Sequence, residues 1–255
     1  DWDAWDIEED YAKTGIELNR PESIKVVEDT PARAAIRIVR RFRASTVTQT
    51  YSLDANGVRL DIATEIDWHD RHCLLRTQTP VAVRTTHATF EHANGVVQRT
   101  THNNTSWDQA QFEVPGHRFL DMSEPGFGVA LLNDDKYGHS AKGNVLGLSL
   151  VRSPVYPDPL ADEGGQRFTY ALYPHAGEWH EGRVREEAED LNQPMLAAAA
   201  SGVASVHFEP IGTEGIPAAL SGLKPAEDGN GLVLRVYEPS GRRGDFAVQV
   251  PEGWR

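Results

Sequence analysis

The sequence predicts an all-β protein organised around a large antiparallel β-sandwich, with little helix. The first observation is a hydrophobic period of two, which is the side-chain period of a strand that buries one face. The second is a set of turn sequences between such segments, and the third is the scarcity of helix-forming runs. The alternation is clearest in residues 57–68, where apolar and charged residues occupy opposite parities: Val58, Leu60, Ile62, Ile66 and Trp68 against Arg59, Asp61, Glu65 and Asp67.

Further segments alternate in the same way and are predicted as strands. They are residues 33–42, 144–152, 168–174 and 232–237. Turn sequences rich in Gly, Asn and Asp lie between strand-like segments at residues 54–57, 94–95, 163–165 and 228–231. Short strands separated by such turns are typical of an antiparallel sandwich.

Helix is predicted at only two places. Residues 3–11 are compatible with a short helix, and residues 178–191 are rich in Glu, Arg and Ala and are followed by the helix breaker Pro194. These two segments account for the little helix that we expect.

The composition changes near the C-terminus and predicts a domain boundary. Residues 196–202 have the composition of a loop or linker, a strand is predicted at 203–208, and a weak boundary follows at 209–212. Three short strands at 218–224, 232–237 and 245–250 are too few for a self-standing sandwich. We therefore predict three parts, listed by residue number: an N-terminal segment 1–20 with a short helix, a sandwich domain 21–210, and a partial, truncated C-terminal β domain 211–255.

Composition and charge exclude several classes of protein. The 255 residues include 25 Lys and Arg against 38 Asp and Glu, which gives a formal net charge of −13. Such an acidic chain lacks the basic surface that binds nucleic acid or anionic lipid. Mean hydropathy is −0.49, and no apolar run approaches the roughly eighteen residues of a membrane span. We therefore expect neither nucleic acid nor a membrane as a partner.

The single cysteine and the chain ends add two expectations. Cys73 cannot form a disulfide within the chain, so we expect a reducing compartment, the cytoplasm. Because its neighbours Leu74 and Leu75 are apolar, we predict a buried structural thiol rather than a nucleophile. The chain begins at Asp1 without a Met and stops directly after a strand-like run. We therefore expect a piece of a longer protein.

No motif predicts a metal, phosphate or nucleophile site within this chain. His69 and His72 have a His-x-x-His spacing, but at a strand end this spacing does not converge two imidazoles as a helix turn does. Gly126 and Gly128 indicate a turn into a buried strand rather than a phosphate-binding loop. The Gly-x-Ser-x-Gly nucleophile elbow is absent.

Residues 102–175 are rich in polar, charged and aromatic side chains that the core of a simple β-sandwich does not require. Arg152 continues the apolar parity of Leu146, Leu148 and Leu150, so it must reach solvent or find polar partners. At the mouth of a sandwich, a fixed guanidinium with aromatic and amide neighbours suits the recognition of sugar hydroxyls. Alternatively, Arg152 caps the core through a salt bridge and packs against Tyr156. Spacing alone favours this second interpretation.

The same region resembles the C-terminal β region of the glycoside hydrolase family 38 α-mannosidases, most closely the bacterial and cytosolic branch. The similarity is densest over the motifs NTSWD (104–108), FEVPGHR (112–118), DMSEPGFGVALLNDDKYG (121–138), GNVL (143–146), LVRSP (150–154), YPDP (156–159) and FTYALYPH (168–175). It extends more weakly to WDAWDI (2–7) and GLKPAEDG (222–229).

The resemblance implies a fold and an activity. The enzymes of this family share an N-terminal α/β barrel, a helical bundle and β-sandwich domains of the galactose-mutarotase-like supersandwich type. They are retaining exo-acting hydrolases of terminal α-mannosides, with an Asp nucleophile, a second carboxylic acid as proton donor, and a divalent metal ion, usually zinc. Because the nucleophile and the metal ligands belong to the barrel, and no segment here matches them, the resemblance implies no catalytic residue and no metal ligand in this chain.

One site residue is carried over from the resemblance. In family members, an arginine near the position of Arg152 faces the active-site pocket. Tyr137, Lys136, His117 and Trp107 are weaker candidates for the rim of the substrate-binding site, and each could equally serve packing or a turn.

We therefore expect the C-terminal β domain of a mannoside-hydrolysing enzyme, with the N-terminal barrel of the same polypeptide as its partner. Alone, the chain is expected to be inactive. Two alternatives stay open: an aldose epimerase, with His102, His117 or His175 as its imidazole, and a non-catalytic carbohydrate-binding module with exposed coplanar aromatic rings. A homo-oligomer also stays open.

Overall fold

The structure is a computed structural model that describes residues 4–8, 10–196, 202 and 212–249. These residues belong to two compact units, one formed by residues 1–91 and 98–193 and the other by residues 92–97 and 194–255. The strand predicted at 203–208 lies outside the described residues, as does most of the predicted linker and boundary around it.

The larger unit is built on a nine-stranded antiparallel sheet. Its order is β1-β2-β3-β4-β13-β10-β9-β6-β7. In chain order these strands are β1 (Ser23–Asp29), β2 (Arg33–Phe42), β3 (Ser45–Asp54), β4 (Leu60–Trp68), β6 (His87–His92), β7 (Gly95–Thr100), β9 (Phe119–Glu124), β10 (Phe127–Asn133) and β13 (Gly164–Ala176).

A four-stranded antiparallel sheet completes the sandwich. Its strands, in the order β5-β12-β11-β8, are β5 (Leu75–Pro80), β12 (Val145–Val151), β11 (Gly138–Lys142) and β8 (Val114–Pro115). The two sheets meet where the ring of Phe90 lies edge-on to that of His139, with 6.4 Å between centroids. Fully buried side chains from both sheets form the core, among them Ile62, Leu120, Met122, Leu132, Leu146 and Leu148.

These elements confirm the predicted all-β sandwich. The alternation in β4 buries Ile62, Ile66 and Trp68 and leaves Asp67 and Glu65 exposed, as the period of two predicts. The strand predicted at 33–42 is observed with those bounds as β2. The strand predicted at 168–174 extends in both directions, because β13 pairs with β4 at one end and with β10 at the other.

The small sheet leaves one end of the large sheet uncovered. Ile24 and Val26 of β1 pair with Ile38 and Ile36 of β2, on the same face as the buried Ile62 of β4. Yet Ile24 is 61% and Val26 69% exposed. We call the inward-facing apolar surface of these two strands, formed by Ile24, Val26 and Ile36, the uncovered face.

The helical elements are few and short. They are a 3-10 helix (Tyr11–Thr14), α1 (Ser106–Ala110) and α2 (Val184–Asn192). The helix predicted at 3–11 is wrong in its position, because the described residues before Tyr11 form turns and irregular backbone. The helix predicted at 178–191 begins only at Val184, after a run of turns that ends at Arg183 with a positive φ of 56°.

The smaller unit contains two antiparallel strand pairs. One joins β14 (Gly212–Gly215) to β17 (Phe246–Gln249), and the other joins β15 (Ala219–Pro225) to β16 (Leu232–Tyr237). The three strands predicted in this region are therefore found, together with β14, which the sequence pattern did not reveal.

Candidate functional site

A concavity of about 450 Å³ lies on the larger unit, at the outer face of the four-stranded sheet. The residues that line it include Trp5, Asp6, Phe112, Glu113, Lys136, Tyr137, Gly138, Ser149, Arg152 and Asp162. It brings together three of the five predicted site residues: Arg152, Lys136 and Tyr137.

A β-bulge places Arg152 in the concavity rather than in the core. Ser149 pairs with Arg76 of β5, but Val151 pairs with Leu75, so β12 contains one residue more than its partner. This extra residue reverses the parity of the chain beyond it. Arg152 therefore leaves the row of Leu146, Leu148 and Leu150 and lies on the outer side with Ser149.

Backbone contacts hold Arg152 in place. Its Nη2 donates to the carbonyl oxygen of Asp6 at 2.7 Å, and its backbone N–H donates to Oδ2 of Asp162 at 3.0 Å. Ser153 N–H donates to the same carboxylate oxygen at 2.8 Å. The guanidinium is thus oriented at the wall of the concavity and keeps further N–H donors for a ligand.

Lys136 and Tyr137 lie on the loop between β10 and β11. The Lys136 ammonium lies 4.1 Å from the centroid of the Phe168 ring and 3.5 Å from a carboxylate oxygen of Asp135. The Tyr137 ring is mostly exposed, and the imidazole of His117 lies edge-on to it at 5.8 Å. His117 therefore supports the rim through Tyr137 without lining the concavity itself.

Trp107 lies apart from these residues. It is on α1 and is 82% exposed, and it does not line the concavity. The helix itself is held by a capping box, in which the Thr105 hydroxyl accepts from Asp108 N–H and the Asp108 carboxylate accepts from Thr105 N–H. The structure thus brings four of the five predicted residues together, three directly and one through a neighbour.

A charged network that the sequence pattern did not reveal lies beside the same concavity, which Glu113 and Ser149 line. Arg76 Nη1 donates to Oε2 of Glu113 at 3.0 Å, and the Ser149 hydroxyl donates to that same oxygen. Arg76 also donates to the Ser140 hydroxyl at 2.7 Å and to the Tyr11 hydroxyl at 3.2 Å. The signal in the sequence was Glu113 itself, a lone carboxylate inside the FEVPGHR motif, and its partner lies 37 residues away.

The resemblance assigns the metal ion to the N-terminal barrel rather than to this chain. In residues 4–8, 10–196, 202 and 212–249, no three His, Cys, Asp or Glu side chains lie close enough to hold a metal ion together. Two carboxylates at the concavity have protein partners, since Asp162 accepts backbone N–H groups and Oε2 of Glu113 accepts from Arg76. No chemical step is therefore assigned to a metal ion bound by this chain.

Cys73 is half-buried rather than fully buried. Arg43 Nη1 lies 3.5 Å from its sulfur, and the thiol donates to the carbonyl oxygen of Arg71 at 3.2 Å. Burial raises the pKa of the Cys73 thiol, and Arg43 opposes this only in part. A raised pKa disfavours the thiolate that a nucleophile requires.

The histidines proposed for an epimerase are poorly placed for sugar chemistry. His175 Nε2 lies 2.8 Å from Oδ1 of Asp121, but both side chains are only 1% exposed. His117 supports the Tyr137 ring, and His102 lies near Asp108 at the start of α1, at 3.5 Å. Among the described residues, no helical element has the length and apolar character to cross a membrane.

The chain matches two family models. The model described as "Glycosyl hydrolases family 38 C-terminal domain" matches residues 1–160. The model described as "Glycosyl hydrolases family 38 C-terminal beta sandwich domain" matches residues 218–253.

Curated relatives are more than a third identical to this chain over most of this chain's length. Alpha-mannosidase 2C1 of Homo sapiens is 39% identical over 250 residues, covering 96% of this chain and 24% of the relative. Alpha-mannosidase G of Dictyostelium discoideum is 38% identical over 254 residues, covering 94% and 23%. The chain thus spans about a quarter of the length of these relatives.

A solved structure shares the fold. The crystal structure of an alpha-mannosidase from Enterococcus faecalis V583 superposes with a TM-score of 0.75 at 16% identity. The match covers 89% of this chain and 31% of that one. At this identity the likeness concerns the fold alone, and it agrees with the predicted large antiparallel β-sandwich.

Proposed function

Because this chain belongs to the C-terminal domain family of the family 38 glycosyl hydrolases, we propose that it is the C-terminal β domain of a retaining exo-acting α-mannosidase that hydrolyses terminal α-mannosides. The observation that carries this proposal is the concavity where Arg152, Lys136 and Tyr137 meet. The names of the relatives, which are alpha-mannosidases, support the choice of substrate.

In this proposal the chain supplies one wall of a sugar-binding pocket. Arg152, fixed by Asp6 and Asp162, donates hydrogen bonds to sugar hydroxyls, and Lys136, Tyr137 and His117 form the rim. Trp107, which is 82% exposed, is an outer candidate, because an exposed indole can stack on a sugar ring beyond the pocket. No catalytic residue is assigned within the chain.

The proposed partner is an N-terminal catalytic barrel in the same polypeptide. Support comes from the curated relatives, which are about four times as long as this chain. The uncovered face supports it too, because a contiguous exposed apolar surface marks an interaction site.

The divalent metal ion, zinc by family resemblance, is assigned to that barrel. The longer protein is placed in the cytoplasm, which the single cysteine supports, and a homo-oligomer remains open.

The alternatives are not favoured. An epimerase would need one of the three proposed histidines beside a carboxylate in the concavity, whereas none of the three lines it, and His175 with Asp121 is enclosed in the fold. A carbohydrate-binding module would need coplanar rings, whereas Trp5 and Tyr156 beside the concavity are inclined by 61° and His117 and Tyr137 by 90°.

The test compares the longer protein with the isolated chain on 4-nitrophenyl α-mannoside in zinc-supplemented buffer. We expect hydrolysis by the longer protein and none by residues 1–255 alone. In the longer protein, Arg152→Met is expected to raise KM at least about tenfold, because a charge-assisted hydrogen bond to substrate contributes roughly 1.5–3 kcal/mol. Arg167→Met, at an exposed position of β13, is the matched control. Hydrolysis by the isolated chain would contradict the assignment.

A further inference from the structure

Four polar side chains and two glycines lie together on the outer side of the four-stranded sheet. Alternation along the strands sends Leu146 and Leu148 into the core and Gly147 and Ser149 outward. Arg76 lies opposite Ser149, and Ser140 lies opposite Gly147. With Glu113 and Gly138, these residues form what we call the polar wall. Glu113, Gly138 and Ser149 line the concavity, and Arg76, Ser140 and Gly147 lie beside them with little exposure.

The two glycines of the polar wall make room for its charged pair. A Cβ at Gly138 would lie 2.8 Å from Oε1 of Glu113. A Cβ at Gly147 would lie 3.1 Å from Nη2 of Arg76 and collide with the Ser140 hydroxyl. A side chain at either position would therefore displace the carboxylate or the guanidinium.

The two oxygens of Glu113 have different surroundings. Oε2 accepts from Arg76 and from Ser149. Among the described residues, no donor is within hydrogen-bond distance of Oε1, although the side chain of Glu113 is only 20% exposed and lines the concavity. A carboxylate oxygen that is partly withdrawn from water and lacks a protein donor is an acceptor for a ligand.

The Arg76 side chain that binds the Glu113 carboxylate is itself firmly anchored. Arg76 has only 6% of its side chain exposed and is anchored by Ser140 and Tyr11 as well as by Glu113. A buried cation of this kind needs its counter-ion, and the pair orients the free oxygen of Glu113. Such preorganisation favours specific recognition of one donor over general hydration.

We propose that Glu113 is a further sugar-binding residue, whose Oε1 accepts a hydrogen bond from one substrate hydroxyl while Arg76 and Ser149 hold Oε2. This inference rests on the proposed function, since it takes the concavity as the mannoside pocket. It complements Arg152, which can only donate, because a sugar hydroxyl both donates and accepts. Glu113 is thus assigned to specificity for one hydroxyl of the sugar.

The test uses the longer protein and mono-deoxy 4-nitrophenyl α-mannosides that each lack one hydroxyl. In Glu113→Gln the amide oxygen can replace Oε2, so an NH2 group would face the sugar and could not accept. We expect kcat/KM for the full mannoside to fall roughly 10- to 100-fold, the size of a charge-assisted hydrogen bond. For one deoxy analogue, wild type and variant should have nearly equal kcat/KM, because that analogue lacks the hydroxyl that Glu113 binds.

Two further variants separate binding from folding. Glu113→Asp keeps the charge beside Arg76 but withdraws the carboxylate, and it should weaken the same discrimination if Glu113→Gln fails to fold. Glu65→Gln, an exposed carboxylate far from the polar wall, should behave as wild type. Unchanged discrimination against every deoxy analogue in folded Glu113 variants would overturn the inference and leave the mannosidase proposal intact. Failure of the wild-type protein to hydrolyse any α-mannoside would instead overturn the proposed function, and this inference with it.

Discussion

At the scale of the single residue, the protonation of the buried His139 affects the stability of this fold. Its imidazole is fully buried, with Nδ1 3.2 Å from the carbonyl oxygen of Tyr137 and Nε2 3.2 Å from Nδ2 of Asn133. Nδ1 must donate to the carbonyl, so Nε2 accepts from the Asn133 amide and the ring is neutral. Burial lowers the pKa of His139 from 6.5 to about 4, and the positive charges of Arg76 and Arg99 add to this.

The buried imidazole predicts a pH-dependent stability. Because the folded-state pKa of His139 lies below its unfolded value, the unfolded chain binds the extra proton. Stability is therefore complete above pH 6.5 and declines as the pH falls towards 4. Between pH 7.5 and 5 we expect this residue to cost about 2 kcal/mol of the free energy of unfolding.

Urea denaturation of residues 1–255 at the two pH values measures this effect. His139→Gln should lower stability at pH 7.5 but reduce its pH dependence, since no imidazole is left to protonate. His69→Gln, a partly exposed histidine, is the control and should preserve the wild-type difference. An equal pH dependence in wild type and His139→Gln would refute the assignment.

A second residue-scale prediction concerns close packing around the buried His175. A Cβ on Gly128 would lie 2.6 Å from both Nε2 of His175 and Oγ of Ser123, in the middle of the hydrogen bonds to Asp121. Gly128→Ala is therefore expected to destabilise the chain by about 2 kcal/mol through overpacking. Gly165→Ala, where nothing lies within 4 Å of the new Cβ, should cost far less in the same urea titration.

At the scale of the element, a strand's contribution depends on what covers it. Ile24 of β1 and Ile62 of β4 lie on the same face of one sheet, yet Ile24 is exposed and Ile62 is 2% exposed. In the 255-residue chain, Ile62→Ala is expected to cost about 2–5 kcal/mol, the range for a buried aliphatic truncation. Ile24→Ala should cost less than about 0.5 kcal/mol. Similar losses at both positions in denaturant titrations would show that β1 is covered in solution.

The strands also show how far local sequence determines structure. β2 was predicted with its observed bounds because the alternation over residues 33–42 is a local property of the chain. The bulge in β12 was not predicted, since it follows from a register shift against β5, a strand about seventy residues earlier in the chain. That bulge decides the position of Arg152. From parity alone, Arg152 would lie in the row of core side chains Leu146, Leu148 and Leu150. The register of β12 against β5 instead places it in the concavity.

For the whole molecule, the uncovered face predicts a difference between the isolated chain and the longer protein. Ile24→Lys should leave the 255-residue chain nearly unchanged, because the new ammonium remains in water. In the longer protein it should lower stability by more than about 2 kcal/mol, because a charge would be buried without a partner. Thermal unfolding of both proteins measures this, with Glu22→Lys, an exposed position just before β1, as the control. An equal effect in both proteins would exclude the uncovered face as the site of the barrel.

The sequence by itself determined the all-β class, most strand positions and the family, because alternation, turn residues and contiguous motifs are local properties of the chain. Through the family resemblance it also predicted five site residues, of which Arg152, Lys136 and Tyr137 line one concavity. Their role in binding stays a prediction. The domain boundaries remain a prediction. Only the tertiary structure decided that Glu113, Arg76, Ser140 and Ser149 form one wall, because these residues come from separate strands and loops. Their meeting depends on sheet order and register, which arise from packing between segments distant in sequence.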